Sequence, residues 1–166
     1  NYDLGLLVDA TDANTVYVGG VNMWASYDGA NSFMPMSHWT TQYGATLHGD
    51  IHDISRSPLT GNYFVCSDGG VYQTSAMIAD SWGTSAWPTV WTQMNAMQIS
   101  SFYRLSSSKN AAGQLIAGAQ DNASMYYNAG SWSTIFGGDG MDNCLFPTSA
   151  TNVLGSSQYG NMWVSS

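Results

Sequence analysis

Two short stretches of this chain concentrate side chains that could support acid–base or metal chemistry. Residues 48–53 read HGDIHD, and residues 137–142 read GGDGMD. Both contain the skeleton Gly-Asp-x-x-Asp, which places Asp50 and Asp139 in equivalent positions 89 residues apart. Charge is scarce elsewhere, because only 8% of all residues are charged. The two stretches are therefore parts of a site, or the turn residues of a repeat, or both.

Paired aspartates could carry out glycoside hydrolysis, with Asp50 or Asp53 facing Asp139 or Asp142. That reaction needs two carboxyl groups about 5–5.5 Å apart for retention of configuration, or about 6.5–9.5 Å apart for inversion. Similar pairs would also arise if a turn-forming aspartate recurred in each repeat and its carboxylate accepted backbone N–H groups. The turn role is the preferred interpretation, and catalysis is the alternative.

A metal site is a second possibility for the first stretch. In an extended segment His48, Asp50 and His52 point the same way and could present two nitrogen ligands and one oxygen ligand to Zn²⁺ or another divalent cation. Asp, Asn and Gln in loops would suit Ca²⁺ instead. Local hydrogen bonds of the two histidines are the preferred interpretation, and no other cofactor is expected.

Composition predicts an all-β protein. The chain has 166 residues, of which 44% are hydrophobic and 13% aromatic, enough for a sizeable core. Its eleven acidic residues are all aspartate, and lysine is almost absent, so strong helix formers are scarce and strand and turn formers abundant. The two cysteines, Cys66 and Cys144, are expected to be small, buried and unpaired.

Charge and hydropathy exclude two classes of partner. A net charge of −8, with Arg56, Arg104 and Lys109 as the only permanent cations, repels nucleic acid. No apolar run reaches the length that spans a membrane, so no membrane insertion is expected. No Gly-x-Ser-x-Gly nucleophile motif is present in the sequence. The composition suits an extracellular or cell-surface location.

Four segments repeat the same order of signals. Their second strands are predicted to begin at Val16, Tyr63, Leu115 and Val153, at spacings of 47, 52 and 38 residues. Four short strands in each unit of roughly 40–50 residues are typical of β-propeller blades. Residues 1–166 are thus predicted to form one propeller portion, with further blades supplied by the same or another chain. The predicted blades, the last incomplete, are 1–40, 48–95, 100–136 and 140–166, with a loop insertion at 75–88.

The repeat predicts a shared face for the polar loops. In a propeller, the connections entering each first strand and the turns between second and third strands open at the same mouth of the central channel. Most of the acidic residues would converge there. The expected ligand-binding residues are His48, Asp50, His52, Asp68, Gln120, Asp121, Asn122, Asp139, Gln158 and Tyr159, with Asp53 and Asp142 nearby.

A hairpin in the first segment resembles a motif of a known protein family. Residues 26–33, SYDGANSF, resemble the Asp-box Ser-x-Asp-x-Gly-x-Thr-Trp, with Ala30 in place of the glycine. Its expected role is structural: Asp28 would accept backbone N–H groups and Phe33 would pack beneath the turn. The matching positions are Ser26, Asp28, Ser32 and Phe33.

The ordered motifs HGDIHDI, CSDGGVYQTS, SSFYRL, AGAQDN, FGGDGMDN and LGSSQYGNMWVS extend that resemblance over nearly the whole chain. In this order they resemble the sortilin-like, Asp-box (BNR-repeat) β-propellers of secreted bacterial proteins, many of which are type IX secretion cargo. That family usually has glycine after Gln-Asp-Asn, whereas this chain has Ala123, which questions a positive-φ turn there.

Three functions follow as expectations. The leading one is a secreted or cell-surface module that binds a glycan or protein ligand, because aromatic rings beside amides and carboxylates suit sugar rings. Trp82, Trp87 and Trp91 are further candidates for such contacts, although the preferred interpretation of Trp91 is that it anchors a fourth strand. The alternatives are a polysaccharide hydrolase using paired aspartates, and a structural part of a secreted or secretion-associated assembly.

Overall fold

The computed structural model describes residues 3–40, 47–79, 89–97, 99–149 and 151–165. These residues form fifteen β-strands in four antiparallel sheets, and one short 3-10 turn at Gln158–Gly160. Three sheets have four strands and the last has three. The prediction of an all-β protein built from four blade-like sheets, the last of them incomplete, is confirmed.

Each sheet is a meander in which consecutive strands are neighbours. The first sheet contains β1 (Gly5–Val8), β2 (Val16–Gly19), β3 (Met23–Ser26) and β4 (Met34–Pro35). The second contains β5 (Ile51–Arg56), β6 (Tyr63–Ser67), β7 (Gly70–Thr74) and β8 (Thr92–Gln93). The third contains β9 (Arg104–Ser107), β10 (Leu115–Gly118), β11 (Ser124–Asn128) and β12 (Ser131–Phe136). The fourth contains β13 (Asn143–Leu145), β14 (Val153–Ser156) and β15 (Met162–Ser165).

The second strands begin at the four residues that the sequence predicts: Val16, Tyr63, Leu115 and Val153. β-Branched and aromatic residues favour the pleated backbone there, and turn-forming Gly, Asn and Asp residues bound each run. Alternation of sides then fixes which residues of a strand share a face, except at the register shifts in β5 and in the pairing of β11 with β12.

The chain divides into two compact units, Asn1–Met97 and Gln98–Ser166. In the first unit, the first and second sheets pack face to face. Tyr17, Met23 and Ala25 of the first sheet lie in one core with Ile54 and Val65 of the second. Gly19 is required at this contact, because a methyl group there would lie 2.4 Å from Cγ2 of Ile51.

The second unit repeats this arrangement with the third and fourth sheets. Ile116 of β10 packs with Leu145 and Val153 of the fourth sheet. The ring of Phe136 stacks on that of Trp163 with 6.1 Å between the ring centroids. Glycine is needed at position 155 beside this ring, because a methyl group there would lie 2.3 Å from Cδ2 of Phe136. The same pair of sheet faces therefore forms the core of both units.

Several local expectations differ from the structure. Both cysteines are free, as expected, but Cys144 is exposed and Cys66 half-buried, since β13 places Cys144 on the side of its sheet opposite the core. Phe33, which is expected to pack beneath the Asp-box turn, remains 41% exposed. Trp91 is buried beside β8, as expected of a residue that anchors a fourth strand.

Some expectations fall outside the described residues. Trp82, Trp87 and most of the predicted insertion, residues 80–88, are among these. Within the part of the chain that the structure describes, no helix is long and apolar enough to cross a membrane.

Candidate functional site

The connection that enters the second sheet carries the first aspartate-rich stretch. Leu47, Gly49 and Ile51 are buried in alternation, whereas His48, Asp50 and His52 stay partly exposed. The two histidines and Asp50 are thus the accessible residues of this segment. Asp68 joins them from the turn between β6 and β7, because the Nε2 atom of His52 lies 2.5 Å from Oδ1 of Asp68. We refer to His48, Asp50, His52 and Asp68 as the histidine–aspartate cluster.

Backbone hydrogen bonds fix Asp50 within this cluster. Its N–H donates to the carbonyl of Val21 at 3.2 Å, and its carbonyl accepts the N–H of Asp68 at 3.2 Å. The next residue, Ile51, donates to Gly20 at 2.8 Å. The connection is thus held between a turn of the first sheet and a turn of the second. Asp50 adopts φ +59°, a left-handed conformation that aspartate tolerates better than most residues.

The carboxylate of Asp50 differs from its backbone, which hydrogen bonds hold in place. No hydrogen bond to it exists within the described part of the chain, although the cluster surrounds it. Burial raises the pKa of Asp50, and the negative charges of Asp3 and Asp68 raise it further, against a smaller opposite effect of His48 and His52. The fold therefore disfavours the ionised form of this carboxyl group.

His48 packs against the turn between β6 and β7. Its Nδ1 atom lies 3.1 Å from the carbonyl oxygen of Gly49. Its ring rests on Gly69, where a methyl group would lie 2.4 Å from both Cβ and Cγ of His48. The first glycine of the Asp-Gly-Gly turn, Gly69, is therefore needed for the packing of the histidine, a role that the sequence pattern does not reveal.

Asp53 makes no hydrogen bond or ion pair with this cluster among the described residues. The pairing of β5 with β6 slips between Ile51 and Asp53, which leaves Ile51 and Ile54 on the core side of the strand and both His52 and Asp53 on the other side. Asp53 then stands opposite Cys66 and is exposed. Burial and the charge of Asp53 raise the pKa of the Cys66 thiol. Of the two candidate catalytic aspartates in this stretch, only Asp50 belongs to the cluster.

The second aspartate-rich stretch enters the fourth sheet and is built differently. Oδ1 of Asp139 accepts the N–H of Asp121 at 2.9 Å, and the N–H of Asp139 donates to Oε1 of Gln158 at 3.4 Å. Positive φ falls on Gly138 here, at +80°, rather than on the aspartate as at Asp50. The two Gly-Asp-x-x-Asp copies therefore have the same residue types but different geometry. Among the described residues, only Asp139 of the second copy, and not Asp50 of the first, accepts a backbone hydrogen bond that fixes a turn.

The remaining predicted residues of the second unit occupy the neighbouring turns. The hydroxyl of Tyr103 donates to Oε1 of Gln120, and Nδ2 of Asn122 donates to the Gln120 carbonyl at 3.0 Å. Tyr159 is fully exposed at φ +63°. Asp142 pairs with Arg104 at 3.3 Å, with both side chains exposed, an interaction worth about 0–1 kcal/mol.

The conformation at Ala123 settles one question left by the sequence. Ala123 has φ +72°, so the turn keeps the left-handed conformation although alanine replaces the usual glycine. Its N–H donates to Gly138 at 3.0 Å, which ties it to the connection carrying Asp139. The turn therefore forms at the cost of backbone strain.

Asp3 lies near Asp50, although no sequence pattern predicts this. Its charge acts on Asp50, and its Oδ1 atom is buried without a hydrogen-bond partner in the described residues. A lone aspartate preceding the first strand gives no sequence signal, because its role depends on the fold bringing it to a connection some 45 residues later.

Metal binding by His48, Asp50 and His52 stays a prediction. The three residues are partly exposed, but Nε2 of His52 is engaged with Asp68 and Nδ1 of His48 lies beside the Gly49 carbonyl. These contacts match the hydrogen-bonding alternative for both histidines. The pairs of Asp50 or Asp53 with Asp139 or Asp142 join the two separate units and likewise remain predictions.

Comparisons with known proteins leave the family open. No protein-family model matches the chain, and no curated protein matches it. Among solved structures it is similar to the extracellular domain of a putative hybrid two-component system from B. thetaiotaomicron, with a TM-score of 0.35 and 8% identity. The match covers 99% of this chain and 23% of that one. Similarity at this level assigns neither a family nor a function, so the sortilin-like, Asp-box resemblance stays a prediction.

Proposed function

We propose that this chain is a secreted or cell-surface β-propeller module that binds a glycan or protein ligand through its aspartate-rich loops. The observation that carries this proposal is the carboxylate of Asp50. It is partly buried, it lies near the charges of Asp3 and Asp68, and no hydrogen bond within the described residues uses it.

The energetics of Asp50 favour a role outside folding. Burying an ionisable group near like charges costs stability unless a hydrogen bond or an opposite charge compensates. Residues that violate such rules concentrate at functional sites. A ligand that donates a hydroxyl or an ammonium group to Asp50 would supply the missing partner, and the braced backbone already holds the acceptor in place.

Exposed aromatic surface in the second unit supports a sugar ligand. Tyr159 presents its whole ring to solvent from a strained, left-handed turn, with Gln158 next to it. A bulky residue at positive φ is uncommon, and strain of this kind is often found at binding sites. Sugar rings stack on aromatic faces while amides and carboxylates hydrogen-bond the hydroxyl groups.

Net charge restricts the class of ligand. At −8, the chain repels polyanions, so neutral glycans or basic protein segments are the proposed ligands. Retention of the chain on a glycan array and on a panel of basic peptides tests this. We expect Asp50→Asn to reduce retention by about tenfold, the effect of losing one charge-assisted hydrogen bond.

The matched control for that experiment is Asp53→Asn. It makes the same chemical change three residues along, on an exposed side chain outside the cluster. Equal retention of both variants and the unmodified chain would contradict a binding role for Asp50. Equal loss in both variants would show that overall charge, and not the cluster, governs binding.

Polysaccharide hydrolysis is the second candidate, and the raised pKa of Asp50 favours it. A carboxyl group that stays protonated to a higher pH is suited to act as a general acid. Turnover on a glycan panel that disappears in Asp50→Asn and in Asp139→Asn, with folding intact, would replace the binding proposal by this one. If neither binding nor turnover is detected, the structural alternative is left.

A further inference from the structure

Trp39 is a large aromatic side chain that folding leaves in solvent. It is 61% exposed, although it follows Met36 and Ser37, which are both buried. A tryptophan stabilises a fold mainly through the apolar area that it removes from water, so most of this ring contributes nothing to the core. Trp39 follows β4, in the connection between the two sheets of the first unit.

Neighbouring residues position this exposed ring. The backbone N–H of Trp39 donates to Oδ1 of Asn22, in the turn between β2 and β3, at 2.7 Å. The rings of His38 and Trp39 are nearly parallel, with 20° between their planes and 6.3 Å between their centroids. His38 is oriented in turn by Thr40, whose N–H donates to Nδ1 of His38 at 3.2 Å and whose hydroxyl lies 2.8 Å from the same atom. Trp39 is thus exposed to solvent but held in place.

The base of the Trp39 side chain packs against the connection that carries Asp50. A methyl group at Gly49 would lie 3.0 Å from Cβ of Trp39 and 3.0 Å from the carbonyl oxygen of Val21. The same carbonyl of Val21 accepts the N–H of Asp50. Consecutive Cα atoms are about 3.8 Å apart, so Asp50 begins one residue beyond this contact. Trp39 and Asp50 are therefore neighbours across Gly49, close enough for one short oligosaccharide to reach both.

The polar groups around the ring suit a neutral ligand. The side chains that hold Trp39 or its stacked partner supply an amide, an imidazole and a hydroxyl, from Asn22, His38 and Thr40. None of these groups is anionic, whereas a basic side chain stacked on the ring would gain from an anion beside it. Amides and hydroxyls form hydrogen bonds with the hydroxyl groups of sugars. The surroundings of Trp39 therefore favour a sugar over a lysine or arginine side chain.

We propose that Trp39 is the stacking surface for a sugar ring of a neutral glycan, and that Asp50 accepts a hydroxyl group of the same ligand. This inference rests on the proposed function, and it assigns the ligand class and a second residue that recognises it. A sugar ring packs its C–H face on the indole while its hydroxyl groups reach polar acceptors. Because neighbouring residues already hold Trp39, little side-chain ordering opposes binding.

An array of neutral oligosaccharides, printed beside lysine-rich and arginine-rich peptides, identifies the class of ligand. We expect the unmodified chain to be retained by oligosaccharides and not by the peptides. The retained oligosaccharide is then titrated into each variant. Trp39→Leu keeps an apolar side chain but removes the flat ring, and it should weaken binding by about three- to tenfold, the effect of losing one stacking contact. Trp39→Phe keeps a ring and should bind within about twofold of the unmodified chain.

Tryptophan fluorescence separates stacking from a structural role of Trp39. A sugar that packs on the indole changes the surroundings of that ring, so the oligosaccharide should change the emission of the unmodified chain. In Trp39→Phe this change should disappear while binding remains. Trp132→Leu is the matched control, since it makes the same substitution at a half-exposed tryptophan of the third sheet, and it should leave the affinity unchanged. Thermal melting of every variant establishes that it is folded.

The outcomes that overturn this proposal differ from those that overturn the proposed function. Retention on the basic peptides alone would exclude a glycan and leave the binding function standing. Oligosaccharide binding that Asp50→Asn weakens and Trp39→Leu does not weaken would remove Trp39 and likewise leave that function standing. Equal loss of affinity in Trp39→Leu and Trp132→Leu, or an emission change that persists in Trp39→Phe, would contradict stacking at this position. Retention on nothing in the array would overturn both proposals.

Discussion

At Asp50 the requirements of stable folding differ most clearly from those of the proposed ligand binding. Because the pKa of Asp50 is raised in the folded state, the folded protein binds the Asp50 proton more tightly than the unfolded chain does. The stability that this tighter binding adds is fully present below the pKa of the unfolded chain, about 3.9. It is lost as the pH rises through the pKa of the folded state. At neutral pH the ionised carboxylate therefore weakens the fold.

Asp50→Asn should raise the melting temperature at pH 7. Asparagine keeps the shape of the side chain and tolerates φ +59°, but it carries no charge to desolvate. The gain should vanish near pH 3, where Asp50 is protonated in both states. Thermal melts across this range measure it. A variant that is less stable than the unmodified chain at pH 7 would show that the carboxylate supports the fold.

Strain at Ala123 gives a second prediction at this scale. An L-residue in the left-handed region costs about 1–2 kcal/mol, and glycine avoids that cost at some loss of chain entropy. Ala123→Gly should therefore stabilise the protein by about 0.5–1 kcal/mol. Ala117→Gly, in β10, should destabilise it by a similar amount, because a strand position gains nothing from glycine. Chemical denaturation of both variants provides the comparison.

The connections that enter the sheets are the elements that position the candidate site. In the fourth sheet, Asp139 fixes its connection by accepting the N–H of Asp121. Asp139→Ala should cost about 1.5–3 kcal/mol, the range for a lost hydrogen bond to a charged group. Asp139→Asn keeps an acceptor oxygen and should cost clearly less. Equal stability of the two variants in denaturant titrations would remove the turn-fixing role.

Strand positions could be predicted from the sequence, but side-chain roles in the turns could not. The four second strands begin where the β-branched and aromatic runs begin, since local propensity and the tertiary fold agree there. The two Gly-Asp-x-x-Asp stretches look equivalent in sequence. Their difference depends on whether positive φ falls on Gly138 or on Asp50, a one-residue offset set by neighbouring turns.

Long-range placement is the other part that sequence reasoning misses. The effect of Asp3 on Asp50, and the need for Gly69 beneath His48, arise only when the turns of separate strands meet. Exposure of Cys144 likewise follows from which side of β13 faces the core. Residue types predicted the polar loops as a group, whereas the individual contacts required the fold.

In the whole molecule, one kind of contact between sheets forms the core of each unit. Tyr17 and Ala25 pack with Val65 in the first unit, and Ile116 packs with Val153 in the second. The net charge of −8 belongs to the chain as a whole, and it favours neutral or basic ligands over polyanions at the aspartate-rich loops.

An NMR titration of the aspartate carboxyl carbons in the folded protein measures the pKa of Asp50 directly. We predict that Asp50 titrates above its ordinary value of 3.8, because burial and two neighbouring carboxylates oppose its charge. Asp28 provides an internal reference in the opposite direction, since hydrogen bonds from Ser32 and Ser26 lower its pKa to about 2. If Asp50 titrates at or below 3.8, its carboxylate already has a stabilising partner, and the central claim of an unused acceptor is wrong.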